Sequence, residues 1–487
     1  MKTSIVAAAA ITAFTQTAAA AVEAKNVIYV IPDGWGPASQ TLSRDLHWLV
    51  ETGTNSTNPE IGTLAADNMV CGLVRTHSAN RLITDSAAGG TALATGHKTN
   101  NGWISITPEG RPVGSVLEAA KLAGMRTGLV STTAITHATP GSYSAHTPDR
   151  NNQNIIAEQQ LGKIHPLGPV VDVLLGGGRC NFLPQNQTGS CREDNTDLYA
   201  YAKENGWSIA KDRDEFDEFE LGKGEARLPM LGNFADGDMR LEIDRRELQD
   251  QPSLLEMSQT AVHALHRATH CREKGYFLMI ESAKLDTSGH AGDVPAHAVG
   301  TWHYNEVMEW LSEWIDEHPD TILVSSADHE TGGLTLSNNY NPVRAYEAKH
   351  TANYLASLWA DRPSNANDVQ FLISEILSNY ALSDATTSEI ESLLATGDME
   401  SGLADLLSER VGAFWSTGGH SAIDVTLFGY AAGEKSRELK ADLARSWDNT
   451  ELPRYIEEVL GLDMDAVTEI LQEAADEDDS WMGSRRD

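Results

Sequence analysis

Six runs of the chain are rich in Val, Ile and Leu and do not alternate with polar residues. They are NVIYVI (26–31), RTGLVS (126–131), VVDVLLGG (170–177), YFLMIES (276–282), TILVSS (321–326) and DVTLFGY (424–430). Short runs rich in Val, Ile and Leu predict strands buried on both faces, as in parallel sheets. Helical patterns fall between them. VGSVLEAAKLAGM (113–125) has Ser115 near its start and Gly124 as its stop. SLLEMSQTAVHALHRATH (253–270) and HAVGTWHYNEVMEWLSEWIDEH (297–318) are two more. Strand and helix in alternation predict an α/β fold: a doubly wound, mostly parallel central sheet with helices on both faces.

Residues 340–412 break this rhythm. They carry amphipathic pieces such as DVQFLISEILSNYAL and TSEIESLLATGDMESGLADLLSER, with no clear strand. They read as a helical insertion, either a cover or subunit contact for the site or a passive elaboration. The acidic end QEAADEDDSWMGSRRD (472–487) reads as a frayed tail. At the other end, Lys2, an apolar stretch from Ile5 to Phe14 and a run of small residues form a secretory signal peptide, cleaved near Ala20 or Ala21. The apolar run is too short to span a bilayer. The expected organisation is residues 1–21 as leader and 22–487 as one α/β domain, with a periplasmic or secreted product.

The formal net charge of −34 leaves no basic stretch to neutralise phosphates. Nucleic acid and anionic membrane surfaces are therefore excluded as partners. An anionic substrate would need local positive charge, which metal ions could supply. Export permits disulfides. Cys180 and Cys191 flank the turn-rich NFLPQNQTGS and are the expected pair. Cys71, in the strand-like MVCGLV, reads as a buried thiol, and its pairing with Cys271 is left open. No C-x-x-C occurs, which argues against a thiolate metal site.

Ligands of open α/β sheets bind beyond the carboxyl ends of the strands. Asp33 follows the first run, and Glu281, Asp286 and His290 follow YFLMI. Asp328 and His329 follow TILVSS, Thr132, Thr133, His137 and Thr139 follow RTGLVS, and His420 precedes DVTLFGY. So many acids on one edge would repel one another without cations between them. Mixed Asp and His ligands suit zinc, and carboxylates with a hydroxyl and water suit magnesium. Asp286 and His290 have one-turn spacing, so on a helix both reach one ion. Ser86, in TDSAAGGTALATG (84–96), lacks the G-x-S-x-G setting of serine hydrolases. A hydroxyl at zinc loses its proton far more easily, which gives Ser86 an activator. It also opens a helix-like run whose free N–H groups suit an anion. Arg150, in TPDRNN, is a candidate anion clamp.

The motifs PDGWG, TDSAAGGTALATG, ATPGSYSAHTPDR, ESAKLDTSGH, ADHETGG and TGGHSAIDV resemble those of the metal-dependent alkaline phosphatases, over about residues 26–430. The resemblance implies a secreted hydrolase of phosphate monoesters that passes through a phosphoserine on Ser86. It implies that Asp286, His290 and His420 hold one zinc, and that Asp33, Asp328 and His329 hold a second with Ser86. Asp33, Thr139 and Glu281 would form a third site, for magnesium or, with His137 beside it, zinc. Arg150 would grip the phosphoryl oxygens, steadied by Asp85. Thr287 stands where well-known members carry Lys, His or Trp, which implies weaker phosphate retention. A homodimer is also implied.

Two other readings remain. A related phosphodiesterase would generally lack Thr139, Glu281 and Arg150 as a set. A non-catalytic secreted metal-binding protein would need the ligands but neither Ser86 nor Arg150. A sulfatase is disfavoured, since no C-x-P-S-R or S-x-P-S-R stretch occurs.

Overall fold

The computed structural model describes residues 21–484 except Glu225 and Asn338. The leader expectation falls on residues 1–20, outside the described residues, and reaches them only at its last residue, Ala21. A ten-stranded sheet forms the centre. Its order is Ser446–Asp448, Val70–Arg75, Val425–Ala431, Thr321–Ser326, Asn26–Ile31, Tyr276–Glu281, Arg126–Ala134, Val173–Gly177, Met230–Asn233, Ser208–Ala210. All neighbours run parallel except Val425–Ala431, which is antiparallel to both of its partners.

All six apolar runs become strands of this sheet. Asn26–Ile31, Tyr276–Glu281 and Thr321–Ser326 are buried at every position. Burial on both faces removes the need for alternation, which is why the runs read as continuous. Each fully buried Val, Leu or Ile contributes about 1.5–3 kcal/mol. The four strands without a strong expected signal are the edge and near-edge ones. Val70–Arg75 is largely exposed, and Ser208–Ala210, Met230–Asn233 and Ser446–Asp448 have three or four residues each.

Register aligns the strand ends. Ile31 and Ser131 both pair with Glu281, and Val30 pairs with Ser325. The residues following Ile31, Glu281 and Ser326 therefore emerge together. Helices surround the sheet. Leu254–Thr269 and Val116–Leu122 both pack on Arg126–Ala134 and Tyr276–Glu281. The start expected at Ser115 is a capping box: the Ser115 hydroxyl accepts from Glu118 N–H, and Glu118 Oε2 accepts from Ser115 N–H at 2.7 Å.

Residues 340–412 contain the helices Val343–Tyr346, Ala352–Ala360, Asp368–Phe371, Thr387–Ala395 and Met399–Val411, and no strand among the described residues. Just outside them, Leu334–Leu336 pairs antiparallel with Ala413–Trp415 and closes the base of the segment. Its Leu355, Leu403 and Leu407 share a second apolar cluster with Leu42 and Leu46 of the helix Pro37–Thr52. Asp293 fixes the segment to the main body: its carboxylate accepts Ala352 N–H at 2.7 Å and the Tyr380 hydroxyl at 3.0 Å.

Two expectations need correction. Residues 472–487 do not begin as a frayed tail. The helix Met464–Glu477 runs into them, and Trp481 and Met482 are buried against the main core. The acidic stretch hid an aromatic anchor, which composition alone does not reveal. Cys180 and Cys191 are disulfide-bonded as expected, while Cys71 and Cys271 are both free. Cys71 is half-buried rather than buried, because Val70–Arg75 lies near the sheet edge.

Candidate active site

Ser86 opens the helix Ser86–Thr95, every residue of which is buried. Asp85 caps it: Oδ1 accepts Ala88 N–H at 3.0 Å. The small residues after Ser86 are explained by what lies against them. A Cβ on Gly89 would stand 3.1 Å from Asp328 Cβ, and one on Gly90 would stand 3.2 Å from Thr139 Cα. The helix start is thus pressed between two of the expected ligand positions. Gly34 does the same for Asp286: its φ is +76°, and a Cβ there would lie 2.5 Å from Asp286 Cα.

Asp286, His290 and His420 converge. The expected helix is present, Lys284–Ala291, and brings Asp286 Oδ1 within 3.3 Å of His290 Nε2. His420 Nε2 lies 3.6 Å from Asp286 Oδ1 and 3.2 Å from His290 Nε2. Each histidine turns its other nitrogen to a carbonyl: His290 Nδ1 to Gly418 O and His420 Nδ1 to Thr84 O, both at 2.7 Å. Those bonds place a proton on each Nδ1 and turn both Nε2 atoms toward one point, where the Asp286 carboxylate raises His290 to about 9. The point draws positive charge, which a proton on His290 Nε2 or a metal ion can supply.

Asp33, Asp328 and His329 form a second, fully buried group. His329 Nε2 lies 3.3 Å from Asp328 Oδ2, 3.7 Å from Asp33 Oδ1 and 3.2 Å from Ser86 Oγ. Thr139 and Glu281 lie beyond Asp33, both fully buried. Asp33 Oδ1, Asp328 Oδ2, Thr139 Oγ1 and Glu281 Oε1 are buried without a hydrogen-bond partner. Burial, with the charges of Asp328, Asp286 and Glu281, pushes the Asp33 carboxyl well above its usual range. Burial likewise lifts Glu281 to about 7. Orphaned oxygens and carboxylates that resist ionisation are what a cation site looks like with protein atoms alone. The donor sets fit: Asp and His for zinc, carboxylates and a hydroxyl for magnesium.

Arg150 is held on two sides. Nη1 donates to Asp85 Oδ2 at 3.0 Å, and Nη2 donates to His137 Nε2 at 3.1 Å. Burial and the adjacent guanidinium hold His137 near about 4, so it is neutral and accepts that bond. Thr287 lies one position past Asp286, on the wall of a cavity of about 750 Å³ that Lys284, Asp238 and Tyr354 also line. The acids and histidines expected at the strand ends thus lie close to Ser86 and Arg150, and Thr287 follows Asp286 on the neighbouring cavity wall.

The sequence model of the family described as alkaline phosphatase matches residues 24–462. The chain belongs to the alkaline phosphatase family. It is 37% identical to the repressible alkaline phosphatase of Saccharomyces cerevisiae, over 92% of this chain and 83% of that relative. It is 31% identical to alkaline phosphatase 3 of Bacillus subtilis, over 89% of this chain and 88% of the relative. Among solved structures, the Thermus thermophilus alkaline phosphatase superposes with a TM-score of 0.76 at 27% identity, covering 93% of this chain and 97% of that one. The chain is an enzyme of the phosphoric monoester hydrolase class, and its mostly parallel ten-stranded sheet is the fold of those neighbours.

Several supporting residues escaped the sequence reading. Ser131 donates to Glu281 Oε2 at 2.5 Å, and Thr331 donates to Asp286 Oδ1 at 2.6 Å. Ser131 lies inside Arg126–Ala134 and Thr331 ends the short strand Glu330–Thr331, where a hydroxyl looks like ordinary strand or turn chemistry. The carbonyls of Thr84 and Gly418 leave no side-chain signal at all.

Proposed function

We propose that this alkaline phosphatase hydrolyses phosphate monoesters in two steps through a phosphoserine on Ser86. The observation that carries the reading is Ser86 Oγ, 3.2 Å from His329 Nε2 at a buried helix start, with Arg150 tied to the neighbouring Asp85. Asp286, His290 and His420 would hold one zinc, and Asp33, Asp328 and His329 the second. Asp33, Thr139 and Glu281 would hold the third ion, magnesium, with zinc as the alternative because His137 is adjacent. When bound, these ions would supply positive charge to the substrate phosphate and lower the proton affinity of a coordinated hydroxyl or water.

The chain's own residues then do the following. Arg150 binds two phosphoryl oxygens through its planar fork, held in orientation by Asp85 and His137. The free N–H groups at the start of Ser86–Thr95 favour the phosphate dianion. Ser86 Oγ attacks phosphorus in line, and the alcohol leaves from the opposite side. Water later attacks the phosphoserine along the same line and releases phosphate. Thr287 offers no cation to retain that product, which supports faster release than a lysine would allow.

The same reading has the chain exported after loss of residues 1–21 and active as a homodimer. Residues 22–487 act as one domain, with 340–412 as its insertion. The activity test is the ratio of kcat/KM for an aryl phosphate monoester to that for a diester. A strong preference for the monoester supports the reading, and a preference for the diester contradicts it.

A further inference from the structure

A third group of potential metal-binding side chains lies away from the active site: Glu118, His146 and His165, all fully buried. Its hydrogen bonds argue against a metal. His146 Nε2 and His165 Nε2 each lie 2.8 Å from Glu118 Oε1. Two donors on one tetrahedral zinc, each at about 2.0–2.1 Å, stand roughly 3.3 Å apart. The separations among Asp286, His290 and His420 meet that figure, and these do not. His165 Nδ1 accepts Leu167 N–H at 3.1 Å, so its proton sits on Nε2 and points at Glu118.

The proton count then assigns a charge. His146 Nδ1 faces the carbonyl of Ser105 at 2.8 Å, so it must carry a proton. Its Nε2 faces a carboxylate that already accepts from His165 and from Ser115 N–H. Three donors converge on Glu118 and favour its ionised form, to which Nε2 donates as well, and a ring that donates from both nitrogens is an imidazolium. No solvent reaches it. The groups around it are Glu118, the His165 ring at 5.6 Å, the Trp481 ring at 5.6 Å and the Gln159 amide, which accepts His146 N–H at 2.9 Å.

This cation sits behind the arginine. Ile104 and Thr147 exchange backbone hydrogen bonds at 2.9 and 3.0 Å, and Arg150 N–H donates to Gly102 O at 2.8 Å. Gly102 N–H in turn donates to Asp85 Oδ2, the oxygen that receives Arg150 Nη1. The segments 102–105 and 146–150 are therefore laced together, and His146 clamps their far end through Ser105 O. Ser105 is a non-glycine residue at φ +45°, a conformation that persists only where its surroundings over-determine it. Four contacts do so: Ser105 N–H donates to Thr91 Oγ1 at 2.9 Å, Ser105 Oγ donates to Ser142 O at 2.5 Å, and Ser105 O accepts from Val113 N–H at 3.0 Å and from His146, the one charged donor among them.

We infer that His146, held as a buried cation by Glu118, is a positioning residue that sets the place of Arg150 in the active site. The inference rests on the reading of Arg150 as the phosphate clamp. A small displacement of a clamp is enough to weaken the ligand it was built for.

The test uses the full, metal-loaded enzyme well below its melting temperature and reads the inhibition constant of inorganic phosphate. His146→Gln is expected to raise that constant about tenfold in the parent background and to leave it unchanged in an Arg150→Ala background. An equal rise in both backgrounds, or no rise in the parent, overturns the inference and leaves His146 a structural residue. If Arg150→Ala alone leaves phosphate inhibition unchanged, the reading of the clamp has failed instead. Should His146→Gln not fold, neutron diffraction from the unaltered enzyme decides the charge. Deuterons on both ring nitrogens of His146 are expected, and a single deuteron overturns the inference.

Discussion

His290 and His420 aim their Nε2 atoms at each other across 3.2 Å while each donates its Nδ1 proton to a backbone carbonyl. Two Nε2 atoms beside the Asp286 carboxylate attract positive charge, a proton on His290 or a metal ion in its place. Chelation of the ions should therefore remove activity and also loosen this edge of the sheet, where Asp33, Glu281, Asp286 and Asp328 meet. The expected result is a fall in melting temperature on treatment with a chelator, reversed by zinc with magnesium. A melting temperature unaffected by metal removal would contradict the reading of the three acid groups as cation sites.

Gly34 presses against Asp286 with a left-handed backbone. Gly34→Ala combines strain at φ +76° with a steric conflict at Asp286 Cα. A stability loss of about 1–3 kcal/mol is expected. The activity loss should exceed what the unfolded fraction explains, because the conflict displaces the helix that carries both Asp286 and His290. Thermal denaturation and kcat on the same preparation separate the two effects.

Arg150→Lys keeps the charge and removes the planar fork that Asp85 and His137 orient. Hydrogen bonds to charged groups contribute about 1.5–3 kcal/mol each. Affinity for inorganic phosphate should fall roughly tenfold or more even though the side chain is still cationic. An unchanged inhibition constant would mean that point charge, not geometry, is what the position supplies.

The pair Glu118–His146 gives a pH signature in stability. Burial works against the charge on His146, yet the charge and hydrogen bond of Glu118 win and raise it above its ordinary value. Burial likewise works against ionisation of Glu118, and its bonds to His146 and His165 hold it below the usual carboxylate range. His165 is lowered, chiefly by burial, and stays neutral. A raised histidine stabilises fully below about pH 6.5 and loses that contribution as pH rises through its folded value. A depressed carboxylate stabilises above about pH 4.3 and loses its contribution as pH falls through its folded value. The melting-temperature gap between parent and His146→Gln should therefore be widest near pH 5–6 and narrow toward alkaline pH. A gap that widens with alkalinity would assign His146 a neutral ring.

Trp481 covers this pair, and its carbonyl accepts Gln159 Nε2 at 3.1 Å. Trp481→Ala should cost about 3–5 kcal/mol, the usual range for a buried aromatic. A loss below about 0.5 kcal/mol, typical of surface positions, would restore the view of this end as a frayed tail.

The same tryptophan marks where sequence reading stops. The buried strands were legible because a sheet covered on both faces needs apolar runs that do not alternate, as in Val27–Ile31 and Ile322–Val324. The cluster of acids and histidines was legible because the fold sends residues after Ile31, Glu281 and Ser326 to one edge. Trp481 was not legible, because one aromatic in DEDDSWMGS carries no periodicity. Glu118 and His146 were hidden differently: each has a bland local role, a capping box and a loop histidine, and only the tertiary fold joins them. Ser131 and Thr331 act through single hydroxyls on neighbours 150 and 45 residues away, a relation no local pattern encodes.

The central claim is that Ser86 is the atom phosphorylated in turnover. Enzyme incubated with a radiolabelled phosphate monoester, quenched in acid and digested should yield label in the peptide that contains Ser86, and none in Ser86→Ala. Label on another residue, or full monoesterase activity in Ser86→Ala, would contradict it.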